Sequence, residues 1–540
     1  MVHLRSLAAA SLIATIVLPA SAQVRFEHLP DALTVDHVYG GSTDFVVGGG
    51  AAVFDCSGDG LPDLFLAGGE NQAGLFVNRS VPGGAVGFAP APLAEGLDGA
   101  LSQNVTGAYP LDFDGDGITD LFVMRFGQNV LLRGTGDCRF SAANADVGLP
   151  DRDDWTTAFA ASWEVGQSLP TLAIGNYVDR SRPLQRDGNC DESYLLRPSA
   201  DDPSRYGAPI PFPESHCPLA LMFVDWSGSG TPDLRATNDR QYYDPDGGEQ
   251  LFALTSDGLI PYGAEDGWQD VQIWGMSLAA HDVVGNGLPD LSISNMMDQR
   301  LETLGDDRAQ AAYFVDIAFD TGSTAHRPYA GGDVRPSTGW HTQFADFDQD
   351  GLADLLIIKG NVDEMAEFAA FDPDNLLIRQ LDGTFVEAGE AAGLALDRRG
   401  RGAAVADFNR DGCLDLAIVN RNQPATILQN AACDALGGAV MLTLQDSAPN
   451  SNAIGSTVQV RLPERSETYF TYAGGGHAGG GLVPLHIGMG EQDAVDVSIT
   501  WPDGRVNRIT GLMRGTFYTV ERSASGMVSV AATGQFARSE

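Results

Sequence analysis

At 540 residues the chain is longer than one hydrophobic core usually supports, so two or more domains are expected. With 43% hydrophobic residues, 65 glycines and 28 prolines, it is neither a disordered chain nor a helical bundle. Its short, glycine-punctuated apolar runs read as all-β. The formal charge of −40, from 72 acidic against 32 basic residues, excludes nucleic acid as a partner, because phosphate binding needs basic patches.

Residues 1–22 read as a signal peptide. Arg5 supplies the positive end, Ser6 to Pro19 is largely apolar, and Ala20-Ser21-Ala22 offers a small-residue cleavage site before Gln23. That apolar stretch is too short to span a bilayer comfortably, and no later segment is long and apolar enough to do so. The expected product is therefore exported, to the periplasm or beyond, without a membrane span. Six cysteines agree with export: Cys56, Cys138, Cys190, Cys217, Cys413 and Cys433. None forms a C-x-x-C pair, which leaves zinc and redox motifs unsupported. Of the fifteen possible pairings the sequential one is favoured, with 190–217 and 413–433 as local loops and 56–138 by elimination.

From residue 55 onward a ten-residue pattern recurs, D-x-[DNS]-x-D-G-x-x-D-L. Four copies are intact. The first places Asp55, Ser57, Asp59, Leu61 and Asp63 at positions 1, 3, 5, 7 and 9, and the second places Asp112, Asp114, Asp116, Ile118 and Asp120 there. The third carries Asp346, Asp348, Asp350, Leu352 and Asp354, and the fourth Asp407, Asn409, Asp411, Cys413 and Asp415. Copies beginning at Asp225 and Asp282 have lost a carboxylate at position 3 or 5, and one near Ser162 is almost erased. The seven starts lie 50 to 64 residues apart, one supersecondary unit per repeat. Each loop has an apolar strand on either side and a further apolar run beyond, for example Leu64-Phe-Leu66 and then Leu75-Phe-Val77. Strand, acidic hairpin loop, strand, turn, strand describes a propeller blade, and seven copies predict a seven-bladed β-propeller over 23–435.

The loops predict calcium. Oxygens at positions 1, 3 and 5 converge when the chain wraps a cation, position 7 adds its backbone carbonyl, glycine at 6 permits the turn, and Asp at 9 closes the sphere. Hard oxygen ligands suit Ca²⁺ better than zinc or magnesium. Two carboxylates ~4 Å apart repel by about 4 kcal/mol at an effective dielectric of 20, so an unneutralised loop would splay. An ordinary Asp/Gly turn explains one copy; four near-perfect copies at blade spacing ask for about four calcium sites. The copies at 162, 225 and 282 are expected to be empty.

Residues 438–525 read as a small β domain, with strand-like alternation in Val440–Leu444, Thr457–Leu462 and Val495–Ile499 and a turn at Pro502-Asp503-Gly504, followed by a tail over 526–540. At this point the residues resemble a known family. The loops with their flanking strands look like FG-GAP or VCBS repeats, as in the integrin α-subunit propeller. Asn452-Ala-Ile-Gly455, Ala473-Gly-Gly-Gly476, Leu485-His-Ile-Gly488 and Trp501-Pro-Asp-Gly504 look like the ASPIC/UnbV domain. Together they resemble the cartilage acidic protein family and its bacterial relatives. The resemblance implies an extracytoplasmic calcium-binding propeller acting in adhesion or interaction. After Gly476 the family shows a Ser-Gln-like pair where this chain has His477-Ala478.

For chemistry the sequence offers little. It contains no H-E-x-x-H, P-loop or G-x-S-x-G elbow, and no catalytic residue emerges. His477, in a glycine-rich loop, is expected on a flexible surface. Trp155, Trp274, Trp340 and Arg401 each lie six to eight residues before a loop, near the start of a channel-lining strand, where they form either a ligand site or packing between blades. Asn176, Asn238, Asn295 and Asn420 recur five residues after their loops, as turn residues. The reading is a binding, adhesion or scaffold protein with a protein or glycan partner. The alternative is a calcium-stabilised propeller enzyme or maturation factor acting on a small molecule or glycan, with His341 and His477 as its only nominees.

Overall fold

The structure, a computed structural model, describes residues 24–93, 102–179, 181, 189–239, 247–305, 310–362, 365–463 and 465–537. The expected signal peptide over 1–22 lies outside them. The described chain is almost wholly β, with only the short α-helices Asn144–Val147 and Ala318–Thr321 and three single 3-10 turns.

Seven sheets follow the seven loop positions, antiparallel except where Gly481–Leu482 joins the first. The strand pairs that flank the loops are Ala51–Phe54 with Asp63–Leu66, Val105–Leu111 with Asp120–Arg125, Thr156–Ser162 with Thr171–Asn176, and Pro218–Val224 with Asp233–Asn238. The remaining three are Gly275–His281 with Asp290–Asn295, Gly339–Ala345 with Asp354–Lys359, and Gly400–Ala406 with Asp415–Asn420. The first strands touch one another in chain order and the last touches the first, so the sheets stand in a closed ring around a channel. The ring is sealed by the N-terminus. Phe26–His28 pairs with Thr426–Asn430 as the outer strand of the last sheet, a pairing that ties the segment before the first sheet to the last one. The architecture is a β-propeller.

Burial explains the run of apolar residues rather than alternation. The first two strands of each sheet are packed on both faces by neighbouring sheets, so Thr156–Ser162 and Asp415–Asn420 are buried along their whole length. Six of the first strands also slip register near their start, between Gly339 and His341 for instance, which bends the strand where it enters the channel. The recurrent asparagines close the turn between second and third strands. Asn238 Nδ2 donates to Gly248 O at 2.7 Å, Asn295 Nδ2 to Asp298 O at 2.8 Å and Asn420 Nδ2 to Pro424 O at 2.7 Å.

Beyond the ring, two four-stranded sheets pack as a sandwich. One holds Leu485–Gly488, Ala439–Gln445, Thr516–Arg522 and Val528–Gln535; the other holds Ser466–Phe470, Thr457–Arg461, Ala494–Thr500 and Val506–Met513. Val440, Leu442, Val458, Val460, Ile487, Ile499 and Trp501 meet between them. Part of the stretch expected as a tail, Val528–Gln535, is a strand paired along Thr516–Arg522. Its exposed residues, Ser529 to Thr533 and Gln535, mix valine with small and polar side chains and carry little periodic signal. Three disulfides join Cys56 to Cys138, Cys190 to Cys217 and Cys413 to Cys433, the sequential pairing, and none of the six thiols is free.

Candidate metal centre and the plugged channel

Each acidic loop is shaped by its own carboxylates. The position-1 Asp accepts the N–H of the position-6 glycine: Gly60 to Asp55 and Gly117 to Asp112 at 2.8 Å, Gly351 to Asp346 at 2.8 Å, Gly412 to Asp407 at 2.9 Å. Those glycines have φ between +82° and +92°, backbone that a side chain would strain. The position-5 Asp accepts the N–H of position 7, as Leu61 to Asp59, Ile118 to Asp116, Leu352 to Asp350 and Cys413 to Asp411. With those N–H groups occupied, what Leu61, Ile118, Leu352 and Cys413 offer a cation is the carbonyl. The position-9 Asp ties the loop to the third strand: Asn78 N–H donates to Asp63 at 2.8 Å, Gly134 to Asp120 at 2.7 Å, Arg379 to Asp354 at 2.9 Å, Asn430 to Asp415 at 2.8 Å. The same Asp-to-glycine bond persists in the eroded copies, Gly230 to Asp225 and Gly287 to Asp282, so it belongs to the turn and not to a metal.

Backbone donors leave some carboxylate oxygens unsatisfied, and these test the fit of a cation. Asp346 is fully buried, and its Oδ1 has no hydrogen-bond partner; Asp114 Oδ1 is likewise buried and unpartnered. Carboxylate oxygens of Asp112, Asp114 and Asp120 lie within 4.8 Å of one another, as do those of Asp346, Asp348 and Asp354. Such clusters are costly to leave charged without a cation. Burial, compounded by Asp354, Asp348 and Asp350, pushes the Asp346 carboxyl well above the usual range. Burial does the same to Asp354, Asp407 and Asp415, moves Asp120 to about 8 and moves Asp63 to about 6. The loops at 112 and 346 therefore fit a hard divalent cation.

The other two intact loops are built differently. Asn409 Nδ2 donates to Asp411 Oδ2 at 2.9 Å and to Gly84 O at 2.7 Å, occupying one ligand oxygen. Ser57 Oγ donates to Asp55 Oδ1 at 3.3 Å. Cysteine sulfurs lie near Asp63 and Asp411, but they are disulfide sulfurs, which offer no thiolate. At the 112 loop Arg133 Nε sits 2.8 Å from Asp114 Oδ2 and competes with a cation for that oxygen.

The channel residues converge at one end of the ring. Trp155, Trp274 and Trp340 share an apolar cluster with Tyr177, Met276, Met296 and Phe368. Arg401 lies with its guanidinium 4.0 Å from the Trp340 ring centroid and donates to Val46 O and Gly400 O. Trp340 Nε1 donates to Gly360 O at 2.6 Å, and Trp155 packs edge-on against Tyr177 and Phe126. Trp155, Trp340 and Arg401 are buried; Trp274 is half-buried.

What the sequence did not disclose is that the sandwich enters the channel. Residues 473–482, between two sandwich strands, run into the ring. Ala161 N–H donates to Ala473 O, Gly475 N–H to Leu221 O at 2.7 Å, Gly476 N–H to Leu278 O at 2.9 Å, and Tyr109 OH to Gly475 O at 2.6 Å. Gly481–Leu482 then pairs in parallel with Ala51–Phe54. His477, expected on a mobile surface, is 1% exposed. Its Nδ1 lies 3.0 Å from Met276 O and its Nε2 accepts the N–H of Gly48 at 3.2 Å, while its own N–H donates to His341 Nδ1. Burial holds the imidazoles down, His477 to about 3 and His341 to about 4, so both stay neutral. Glycine is obligatory where the strands meet the plug. A Cβ on Gly50 would lie 1.8 Å from Ala478 O, and one on Gly107 1.7 Å from it. The run Gly474–Gly476 and Gly479–Gly481, matched by Gly48–Gly50, was the signal available.

The sandwich also covers the acidic loops. Ser451 Oγ donates to Asp112 Oδ2 and Asp112 N–H donates to Asn452 Oδ1. Thr468 Oγ1 donates to Asp282 at 2.8 Å, Arg465 to Asp350 O at 2.9 Å, and His486 Nε2 lies 3.0 Å from Gly412 O. Between loops, Glu467 accepts Arg379 Nη1 at 3.0 Å and lies 2.9 Å from His281 Nε2, with all three side chains buried.

Two family profiles match the chain, ASPIC and UnbV over residues 446–526 and FG-GAP-like repeat over 55–123, which agree with the resemblance read from the motifs. No curated protein matches the sequence. Among solved structures, BBS1N in complex with ARL6DN is 10% identical over 76% of this chain and 97% of its own, with a TM-score of 0.40. An Agrocybe aegerita lectin that recognises non-reducing terminal N-acetylglucosamine is 14% identical over 71% and 94%, TM-score 0.38. Trypanosoma rangeli sialidase in complex with the inhibitor DANA is 12% identical over 67% and 57%, TM-score 0.35.

Proposed function

We propose that this chain, a β-propeller with FG-GAP-like repeats and an ASPIC and UnbV region, is an exported calcium-binding protein that acts as a binding or scaffold module for a protein or glycan partner. The observation that carries the calcium is the convergence of three carboxylates at the 112 and 346 loops with a buried, unpartnered oxygen in each. Oxygen-only donors favour calcium over zinc. The loops at 55 and 407 complete the set of about four sites, with serine and asparagine in place of the position-3 carboxylate. Three disulfides support export, and no helix among the described residues is long and apolar enough to cross a membrane.

Binding is favoured over turnover because the two histidines nearest the channel centre are held by neighbouring groups. Both ring nitrogens of His477 face backbone partners, and His341 has Nδ1 on the His477 N–H and Nε2 3.3 Å from Gln343 Oε1. Neither is placed to exchange a proton with a substrate. The partner surface we assign to the end of the channel around Trp155, Trp274, Trp340 and Arg401, with Trp274 its accessible member. Elemental analysis and calorimetric titration of metal-stripped protein test the calcium. Calcium uptake reduced by Asp114→Asn and by Asp348→Asn supports it; wild-type protein that takes up no calcium refutes it.

A further inference from the structure

The 346 loop differs from the others in what lies over it. Asp346 is fully buried, and one face of its carboxylate abuts the sandwich strand Leu485–Gly488: a Cβ on Gly488 would sit 1.6 Å from Asp346 Oδ2. Gly490 N–H donates to Gln349 O at 2.9 Å and Arg465 Nη2 to Asp350 O at 2.9 Å, so the sandwich is bonded to the loop's rim as well as pressed on its floor. Only Oδ2 of Asp346 is satisfied, by Gly351 N–H; Oδ1 is unpartnered, and a carboxylate oxygen of Asp346 lies within 4.8 Å of oxygens from Asp348 and Asp354. The roof supplies backbone carbonyl and glycine surface there, and Arg465 points its bond at the rim carbonyl.

We infer that a divalent cation in the 346 loop clamps the C-terminal sandwich onto the propeller and thereby holds the glycine loop 473–482 inside the channel. The inference rests on the calcium reading above. Its physics is linkage. With the loop empty, three carboxylates repel one another under a roof whose cation, Arg465, is held at the rim on Asp350 O, and lifting the roof lets water screen them. With a cation present the repulsion becomes attraction, and water in the loop is no longer needed. A ligand that favours the docked state shifts the docking equilibrium by its differential affinity, and docking tightens the cation in return. Because Ala473–Leu482 is continuous with the sandwich and bonded to several different sheets, it leaves the channel only when the sandwich lifts. The cation thus governs whether the channel is closed from this side.

Hydrogen exchange on the full chain tests it, with calcium chloride as the only added ligand. The amides of Gly475, Gly476 and His477 report the plug, since each donates to the propeller. Amides of the central strand Thr171–Asn176 report the ring. Free calcium at 100 times its dissociation constant should slow exchange of the plug amides by up to roughly 100-fold, the limit set by a cation with no affinity for the undocked loop, while the ring amides change little. Asp346→Asn, which keeps the volume and removes the charge, should abolish the difference. Gly488→Ala, which leaves every acidic residue in place but drives a methyl group into the Asp346 carboxylate, should abolish it too. If calcium binds wild-type protein and the plug amides exchange equally fast with and without it, the clamp is wrong and the calcium reading stands. If Asp346→Asn retains the full calcium effect, another loop is responsible and the assignment to 346 fails. If no calcium binds at all, both readings fall together. Should Asp346→Asn not fold, the wild-type comparison and Gly488→Ala decide the matter.

Discussion

Calcium should stabilise this protein more at pH 8 than at pH 5.5, and the buried carboxyls set the size of the difference. In metal-free protein Asp120 is held near 8 by burial, and Asp63 near 6, against 3.8 for the free side chain. A carboxyl with a raised folded pKa contributes stability that is complete below 3.8 and is lost as pH rises through the folded value. Relative to that acid limit, ionising Asp120 costs about 5 kcal/mol at pH 8 and about 2 kcal/mol at pH 5.5; Asp63 costs about 3 and about 2 kcal/mol. The two together put about 4 kcal/mol between the two conditions. Calcium binds the deprotonated loops and removes that cost where it is largest. His341, His477 and His486, which burial holds near 4, 3 and 4, lose stability in the opposite direction as pH falls. Their contribution is the same with and without metal and cancels in the comparison. For a chain of this size the difference corresponds to about 4 °C in the calcium-induced Tm shift. Scanning calorimetry of metal-stripped protein, with and without calcium chloride at each pH, reads it. A calcium shift that is equal at the two pH values, or larger at pH 5.5, refutes the electrostatic account of the loops.

Thiol titration of exported protein under denaturing, non-reducing conditions should find almost no free thiol, and six free thiols would contradict both the pairing and the compartment. Glu467→Gln should destabilise the docked sandwich by about 3 kcal/mol, because it leaves Arg379 and His281 facing a neutral group in a buried site; a melt unchanged within 0.5 °C, roughly the resolution of the assay, would show that the cluster is dispensable. Arg401→Ala should cost about 2–4 kcal/mol of stability through the lost stack on Trp340 and the cavity left behind. Trp274→Ala should melt close to wild type yet reduce capture of a partner from the envelope or medium, and normal capture would remove Trp274 from the binding surface.

The ring was legible because its signal is redundant. Asp at position 1, Gly at 6 and Asp at 9 are each demanded by a specific backbone bond in the loop, and the same bonds recur even in the copies that lost their position-3 or position-5 carboxylate. The cysteines were legible for a local reason: Cys413 is at a position whose useful group is the carbonyl, which leaves its side chain free to reach Cys433. The plug was not legible, because nothing local specifies it. Gly474–Gly481 has the composition of a flexible surface loop, and its glycines are there for steric reasons that lie on distant strands, at Leu221 O for Gly474, Leu278 O for Gly475 and Ala51 O for Gly479. The same holds for the roof over Asp346. Gly488 ends an ordinary strand by its own sequence, and only the packing of the two folds shows that any side chain there would strike a carboxylate. A repeat reveals what each unit needs for itself. The demands one unit makes on a distant one appear in sequence only as unexplained glycine, and in this chain the glycines at 50, 107, 474–476, 479–481 and 488 mark the line along which the sandwich and the propeller meet.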